Sequence, residues 1–489
     1  MPAPQQLKDE ALFRTACLVG GDWIEADDGS TISVDDPATG DEIATVPSLG
    51  PVEVRRAIEV AAVAQRDWRR VTARERARVL HRWADLLTEH RDDVGLIMGT
   101  EHGKPWEEAK GEVDYAASFL EWFAEEAGRA NGDVVPTFRS DSRVIVLREP
   151  VGVAAGITPW NFPAAMIGRK VGPALAVGCA MVVKPASQTP LTALALAELG
   201  RRAGVPDGVF NVVTGKAGPI GEELTSNPSV RKLSFTGSTE VGRTLMAQCA
   251  HHIMKVSLEL GGNAPFIVFD DADLDAAVEG TLVAKFRNSG QTCIAANRIL
   301  VHERVVDDYV DRLTKAVSGL EVGATTDPGA KIGPLIDDAA VDKVARHVED
   351  AVGHGAEVVL GGSANERGGR FWDPTVLVGV KADTAMSCEE TFGPVAGIDT
   401  FRDDEQAVRQ ANETPYGLAS YVYSRDIGRL WRAVEGLEYG MVGANTGFIS
   451  SPVAPFGGVK ESGLGREGSV HGIDEYTELK YVCLGGLDR

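Results

Sequence analysis

The chain has 489 residues, of which 44% are hydrophobic and 25% charged, and its 49 Lys and Arg against 71 Asp and Glu give a formal net charge of −22. This composition excludes collagen-like, low-complexity and wholly disordered proteins, and the length is enough for two or three domains that each bury a core. The acidic surface would repel polyanions, so we expect neither nucleic acid nor an anionic membrane as a partner.

The segment before residue 151 is predicted to be an N-terminal arm followed by helices. Apolar positions at helical spacing predict helices over 53–69 and 73–98. Another helix is predicted to begin near Pro105, because proline suits the first helical turn. The stretch 143–148, which reads Arg-Val-Ile-Val-Leu-Arg, predicts a strand.

From residue 151 onwards, short apolar strands alternate with helices, which is typical of a parallel sheet covered on both faces. Strands are predicted at 151–157, 180–184, 209–213 and 232–236, with helices near 163–177, 189–203 and 218–227. A second series is predicted as helix 273–288, strand 298–302, helix 304–318, helix 338–353, strand 356–360, helix 404–412, strand 419–423 and helix 425–435. Two α/β lobes in tandem are the simplest account of these elements.

Polar side chains follow two of the predicted strands, at the sheet edge where α/β folds bind ligands. Asn161 follows the strand 151–157, and its amide could donate to an oxyanion, although capping the next helix is the competing role. Lys184 ends the strand 180–184, and Ser187 lies in the turn after it. Both side chains therefore reach the ligand-binding edge.

Gly237 opens a glycine turn between the strand 232–236 and a helix that runs towards Met246. Backbone N–H groups and the positive end of the helix dipole suit a pyrophosphate, although such a junction is often only structural. The string Gly463–Gly468 also matches G-x-G-x-x-G, but only 21 residues (489 − 468) remain after it. A βαβ unit needs about 30 residues, so we interpret this match as a chance one.

Cys293 lies in a short polar loop, shortly after Arg287 and Asn288. A nucleophilic thiolate is one interpretation of this cysteine. An inert buried cysteine, as we expect for Cys179 and Cys249, is the other.

Glu259 follows the predicted strand 255–258 and stands just before two glycines. A carboxylate in that position is sterically open and could act as a general base. A turn carboxylate that caps the next element is the competing role.

The six cysteines are too few and too scattered for a disulfide framework, and the nine histidines form no zinc-binding spacing with them, so we expect no metal. The N-terminus does not resemble a signal peptide, and the longest apolar run, 171–183, is shorter than the roughly 20 residues that span a bilayer. We therefore expect a cytoplasmic protein that does not enter the membrane.

Seven short strings occur in one order along nearly the whole chain. They are Trp160-Asn-Phe-Pro163, Lys184-Pro-Ala, Phe235-Thr-Gly-Ser, Glu259-Leu-Gly-Gly, Gly290-Gln-Thr-Cys293, Glu389-Glu-Thr-Phe-Gly-Pro394 and Pro455-Phe-Gly-Gly458. Together they resemble the aldehyde dehydrogenase superfamily. The longer stretches 235–239, 257–274, 286–293 and 462–472 are similar to its succinate-semialdehyde dehydrogenase branch.

The resemblance implies an α/β aldehyde dehydrogenase fold of three parts. Residues 1–129 and 149–258 would form a Rossmann-like cofactor-binding domain, and residues 259–469 a catalytic α/β domain. Residues 130–148 and 470–489 would form a small β oligomerisation arm. Such an arm implies a homo-oligomer, either a dimer or a tetramer built from dimers.

The resemblance also implies the roles of individual residues. Cys293 would attack an aldehyde, Asn161 and the Cys293 N–H would hold the oxyanion, and Glu259 would activate water. The residues expected to contact the cofactor are Thr158, Trp160, Lys184, Ser187, Gly237, Ser238, Gly261, Glu390 and Phe392.

Cofactor and substrate preference depend on five matched positions. Ser187 stands where NAD-preferring relatives commonly carry a glutamate that repels a 2′-phosphate. With Lys184 nearby, its hydroxyl predicts a preference for NADP, with NAD still possible. Arg169, Arg287 and Ser450 match positions that hold the substrate carboxylate in that branch, which predicts a small carboxylate aldehyde, succinate semialdehyde, as the substrate. Either arginine could instead form a structural salt bridge.

Three alternatives remain open. The same chemistry could act on glutarate semialdehyde or another ω-oxo acid. The fold could serve a non-catalytic protein, which the joint presence of Cys293, Glu259 and Asn161 argues against. Cys293 could also serve a thiol esterase without a cofactor, which the Lys184 and Gly237 elements argue against.

Overall fold

The computed structural model describes residues 7–487. The strands in this range are β1 (Cys17–Val19), β2 (Asp22–Ile24), β3 (Thr31–Asp35), β4 (Glu42–Pro47), β5 (Asp133–Val135), β6 (Arg143–Pro150), β7 (Val153–Ile157), β8 (Ala180–Lys184), β9 (Phe210–Val212), β10 (Val230–Thr236), β11 (Lys255–Glu259), β12 (Ala264–Val268), β13 (Ala296–His302), β14 (Glu357–Leu360), β15 (Thr375–Val378), β16 (Val395–Phe401), β17 (Ala419–Tyr423), β18 (Met441–Ala444), β19 (Gly463–Leu464) and β20 (Thr477–Leu484).

The helices connect these strands and cover both faces of the two larger sheets. In the same range they are α1 (Pro51–Trp68), α2 (Ala73–Glu89), α3 (Arg91–His102), α4 (Trp106–Ala127), α5 (Ala165–Val177), α6 (Pro190–Ala203), α7 (Ala217–Ser226), α8 (Thr239–Cys249), α9 (Leu274–Thr281), α10 (Val306–Val317), α11 (Asp338–Gly353), α12 (Ala385–Cys388), α13 (Asp404–Asn412) and α14 (Ile427–Gly436).

The first sheet has eight strands in the order β19-β11-β10-β7-β8-β9-β1-β2. Its five central strands are parallel, and the strands at its two edges are antiparallel. The central strands are apolar and almost wholly buried because helices cover both faces, and α5 is buried along its whole length. The four strands predicted between residues 151 and 236 are confirmed.

The second sheet has seven strands in the order β14-β15-β16-β13-β12-β17-β18. All neighbouring pairs are parallel except β14 with β15. The strands predicted at 298–302, 356–360 and 419–423 are confirmed. Four further strands, β12, β15, β16 and β18, were not predicted, because they are short apolar segments without a helical or alternating pattern of their own.

Two predicted helices are wrong in part. The helix expected over 73–98 is two helices, because His90 has non-helical dihedral angles (φ −98°, ψ 21°) and α3 starts afresh at Arg91. In the helix expected over 273–288, the α-helical part ends at Thr281, and a π-helical turn follows over Leu282–Phe286. Asn288 then has a left-handed φ of 54°, which ends the helical path.

The third sheet, β20-β6-β5, is antiparallel, and β6 pairs with β20 along all eight residues. It joins the two segments that we predict as an oligomerisation arm, 130–148 and 470–489. The predicted domain boundaries also include residues 1–6 and 488–489, which lie outside the described residues. The division into domains stays a prediction.

The string Gly463–Gly468 does not form a dinucleotide-binding turn. Its first two residues form β19, which pairs antiparallel with the end of β11, and a 3₁₀ helix follows at Val470–Tyr476. The interpretation of the glycine pattern as a chance match is confirmed.

Candidate active site

A cavity of about 350 Å³ lies where the carboxyl ends of β7, β10 and β11 face the loop before β13. The structure brings nine of the predicted site residues into its lining. They are Trp160, Asn161, Gly237, Ser238, Glu259, Gly261, Cys293, Glu390 and Phe392. Thr158, Lys184, Ser187, Arg169, Arg287 and Ser450 lie outside this lining.

Cys293 is partly exposed in this cavity. Burial raises the pKa of its thiol to about 12, the charge of Glu390 adds to this, and Arg169 and Arg287 pull the pKa down. The backbone of the loop is held closely, since a Cβ at Gly262 would lie 2.6 Å from the Cys293 carbonyl oxygen. The two glycines after Glu259 thus let one catalytic loop approach the other.

Asn161 lies directly beside the cysteine loop. Its side-chain amide donates to the Gln291 carbonyl oxygen at 3.1 Å. Its backbone carbonyl oxygen accepts from Lys104 Nζ and from Asn288 Nδ2, each at 3.0 Å. The competing role as a helix cap is not observed, because α5 begins after Ala164 without a side-chain cap. The Asn161 amide thus lies in the same cavity lining as Cys293 and contacts the loop that carries it.

Glu259 is the last residue of β11 and is buried. Neither of its carboxyl oxygens has a hydrogen-bond partner among residues 7–487. Burial raises the pKa of this carboxyl well above its usual range, the negative charge of Glu467 raises it further, and Lys170 and Arg169 oppose the shift. A raised pKa makes the ionised form of this carboxyl a stronger base than a surface carboxylate, which suits a general base.

The cavity wall opposite Cys293 fits a nicotinamide dinucleotide. Gly237 and Ser238 line the cavity directly before α8, and the Ser238 side chain caps that helix, so the N-terminus of α8 lies next to the cavity. Glu390 is half-buried, burial raises its pKa to about 8, and its Oε1 atom finds no partner in the described part of the chain. Phe392 has a left-handed φ of 57° and packs edge-on against Trp160 at 5.4 Å. An unpaired polar atom and a strained aromatic residue here are typical of a ligand site.

Lys184 ends β8 and is buried, with its Nζ donating to the Pro185 carbonyl oxygen at 2.9 Å. Burial lowers the pKa of this lysine to about 8. Thr158 at the end of β7 is also buried, and its N–H donates to the Lys184 carbonyl oxygen. Ser187 is half-buried in the turn before α6. These three residues thus share one edge of the first sheet.

The two arginines predicted to bind a carboxylate have different surroundings. Arg169 is buried and already has an acidic partner, since its Nε lies 3.3 Å from Glu467 Oε2. Arg287 donates from Nη2 to Ser450 Oγ at 3.4 Å, in a small cleft that includes Thr292, next to Cys293. No carboxylate of residues 7–487 lies within ion-pair distance of Arg287. Arg287 is therefore a cation of this region that an incoming anion can pair with.

Sequence reasoning missed three buried residues of this region, Lys104, Glu112 and Glu467. Lys104 forms a close ion pair with Glu112, and Glu467 accepts from Lys170 and approaches Arg169. Lys170 directly precedes the apolar run 171–183 and lies inside the otherwise apolar helix α5. A charged residue in that position is a signal that an acidic partner such as Glu467 exists elsewhere in the chain, because a buried charge needs a partner.

The sequence predicts neither a metal ion nor a membrane as a partner. Within residues 7–487, no group of three or more His, Cys, Asp and Glu side chains is arranged to hold a metal ion. In the same part of the chain, every helix is too short or too polar to cross a membrane.

Comparison with known proteins gives one consistent family. The model of the aldehyde dehydrogenase family matches residues 23–482. The chain is 60% identical to the glutarate-semialdehyde dehydrogenase of Pseudomonas aeruginosa over 99% of this chain and 100% of that protein. It is also 60% identical to the NADP(+) succinate-semialdehyde dehydrogenase of Escherichia coli K12, over 98% and 100%. The crystal structure of succinate-semialdehyde dehydrogenase from Burkholderia pseudomallei superimposes with a TM-score of 0.97 at 59% identity, over 98% of this chain and 100% of that one.

Proposed function

Because the chain belongs to the aldehyde dehydrogenase family, we propose that it oxidises succinate semialdehyde to succinate and prefers NADP as the cofactor. The observation that carries the substrate class is Arg287, a cation that lies beside the Cys293 loop and has no acidic partner in residues 7–487. An anion bound there would place an aldehyde a few carbons away next to the thiol. The E. coli relative, named for this substrate and for NADP(+), supports the proposal.

In the proposed reaction, Cys293 as thiolate attacks the aldehyde carbon and forms a thiohemiacetal through a new carbon–sulfur bond. The Asn161 amide and the Cys293 N–H stabilise the oxyanion that forms. A bound nicotinamide supplies the acceptor for the hydride that leaves this carbon, so the carbon is oxidised to a thioester. Glu259 takes a proton from water, whose oxygen displaces the thiolate and releases the carboxylate product.

The preference for NADP rests on Ser187 and Lys184. A hydroxyl and a cation at the edge of the first sheet suit a 2′-phosphate, whereas a glutamate in place of Ser187 would repel it. Burial of Lys184 adds to this, because an anion beside it would relieve the cost of its buried charge. NAD remains a possible second cofactor.

The proposal is tested with a panel of aldehydes and both cofactors, followed by the absorbance of the reduced cofactor. We expect kcat/KM to be highest for succinate semialdehyde with NADP, lower for glutarate semialdehyde and lowest for propanal. Equal or higher kcat/KM with NAD would contradict the cofactor preference. A higher value for glutarate semialdehyde would favour the second candidate function, which the name of the Pseudomonas aeruginosa relative supports.

Replacing Arg287 with leucine is expected to raise KM for succinate semialdehyde by about 10–100-fold, because a hydrogen bond to a charged group contributes about 1.5–3 kcal/mol. Propanal is the internal control, since it has no carboxylate and its KM should stay near that of the wild type. Ser450→Ala, which removes a neutral partner of the same arginine, should have a smaller effect in the same direction. Equal losses on both aldehydes would refute the role of Arg287 in binding the carboxylate.

We also infer a homo-oligomer, assembled through the third sheet, and a cytoplasmic location. Val134, Leu479 and Tyr481 on this sheet are 77%, 66% and 68% exposed, an apolar surface that a second copy would cover. The scattered cysteines support a reducing compartment, in which Cys293 would stay a free thiol.

A further inference from the structure

We propose that the buried ion pair of Lys104 and Glu112 positions Asn161 against Cys293, so that Lys104 and Glu112 are positioning residues of the oxyanion hole. Lys104 lies between α3 and α4, and Glu112 lies within α4. Neither residue is on a strand that leads into the site. The inference rests on the roles proposed above for Cys293 and Asn161.

Lys104 contacts Asn161 directly. Its Nζ donates to the Asn161 carbonyl oxygen at 3.0 Å and lies 4.2 Å from the ring centre of Phe162, the next residue. The same carbonyl oxygen accepts from Asn288 Nδ2. The backbone of Asn161 is thus held by two donors, one from each side of the site.

Glu112 holds the turn that follows Asn161. Its Oε1 accepts from the backbone N–H of Ala164 at 2.9 Å and of Ala165 at 3.3 Å, while its Oε2 pairs with Lys104. These N–H groups begin α5, which has no side-chain cap of its own. One ion pair therefore fixes the chain at Asn161 and again three and four residues later.

Glu108, one turn before Glu112 on α4, holds the cysteine loop. Its Oε2 accepts from the backbone N–H of Asn288 at 2.8 Å. Asn288 has a left-handed φ of 54°, and its Nδ2 donates to the Gln291 carbonyl oxygen, two residues before Cys293. Helix α4 thus contacts both walls of the site, and its two carboxylates set their separation.

The burial of the pair favours positioning over stability as its role. The side chains of Lys104 and Glu112 are each 1% exposed. Removing two charges from water costs several kcal/mol per ion, and apolar residues of similar size often stabilise a protein equally well. What apolar residues could not supply is a donor to Asn161 and an acceptor for the start of α5.

The test compares two reactions of Cys293 in Lys104→Met and in the wild type, without aldehyde or nicotinamide. In the first, the thiolate attacks the carbonyl of p-nitrophenyl acetate, and the acetyl–oxygen bond breaks as p-nitrophenolate leaves; an oxyanion forms on the way. In the second, iodoacetamide alkylates the sulfur and iodide leaves, with no oxyanion. Modification at Cys293 is followed by peptide mass spectrometry, because Cys388 and Cys483 are also exposed.

We expect Lys104→Met to slow acylation about 10-fold or more and to leave alkylation at the wild-type rate, because a displaced oxyanion donor affects only the first reaction. In an Asn161→Ala background, Lys104→Met should slow acylation no further. Equal slowing of both reactions, or no slowing of either, would overturn the proposal. If Lys104→Met does not fold, Glu112→Gln, which keeps the acceptor but removes the charge, is expected to show the same difference.

Lys232→Met is the matched control. Lys232 is also buried and ion-paired, with Glu475 at 3.2 Å, but it makes no contact with Asn161 or the cysteine loop among the described residues. We expect it to leave the ratio of acylation to alkylation unchanged. If Cys293 of the wild type is not acetylated while Cys388 or Cys483 is, that result would contradict the proposed function itself, an outcome distinct from failure of the positioning role.

Discussion

Cys293→Ala is expected to lower the rate of aldehyde oxidation by about 10⁴-fold or more, to the level of the assay background, because no bond between enzyme and aldehyde can then form. Cys293 is the one cysteine in the lining of the main cavity, within residues 7–487, and lies between the Asn161 amide and the loop after Glu259. The measurement is reduced-cofactor formation with succinate semialdehyde, alongside Tm to establish that the variant folds.

Cys483→Ala is the control for this substitution. Cys483 is an exposed thiol on β20, on the sheet that we predict as the arm. The Cys483→Ala variant should retain wild-type turnover. Dehydrogenase activity in Cys293→Ala above the background would mean that another residue is the nucleophile, and it would remove the basis for the proposed thioester.

The charges around Cys293 act on its thiol in opposite directions. Burial and Glu390 raise the pKa of the thiol, whereas Arg169 and Arg287 lower it. An anion bound at Arg287 would cancel part of the charge that lowers this pKa. The carboxylate of the proposed substrate would therefore favour the thiol over the thiolate, and the two arginines together have to offset burial and Glu390.

The cofactor half of the fold could be predicted because its strands are buried on both faces. Such strands are continuous apolar runs, and the helices between them have clear starts and stops, so the pattern of β7, β8, β9 and β10 is visible in the sequence. The proposed catalytic residues follow from the same pattern, since Asn161 lies in the turn after β7 and Glu259 is the last residue of β11.

The contacts between distant segments could not be predicted. The break at His90 and the end of α9 at Thr281 fall inside continuous apolar patterns, so periodicity alone does not reveal them. The hydrogen bond from the Asn288 N–H to Glu108 Oε2 joins residues 180 positions apart. Glu467 as the partner of Arg169 is a pairing across most of the chain, and no local pattern encodes it. The acidic net charge likewise says nothing about which buried acids raise the pKa of their neighbours.

Glu259→Gln is expected to lower steady-state kcat by about 10²–10⁴-fold while still allowing one rapid turnover, because only the attack of water on the thioester needs this carboxylate. A burst of NADPH equal to one per active subunit should therefore precede the slow steady state. In the wild type, turnover should fall as the pH is lowered through the raised pKa of Glu259, since the carboxyl must be ionised to accept a proton. This pH dependence should be absent from the slow phase of the variant.

Glu101→Gln is the matched control, because Glu101 is also a buried carboxyl whose pKa is raised, to about 8. Its carboxylate accepts from the N–H groups of Leu191 and Thr192 at the start of α6 and does not line the main cavity. The Glu101→Gln variant should keep the wild-type turnover and pH profile. Loss of the burst in Glu259→Gln would mean that a step up to thioester formation needs Glu259. An unchanged steady-state rate would mean that another base takes the proton from water. Glu390 lines the same cavity and also has a raised pKa, so the pH profile alone does not identify the base. The profile of Glu259→Gln does, because a dependence on pH that belongs to Glu390 would persist in this variant.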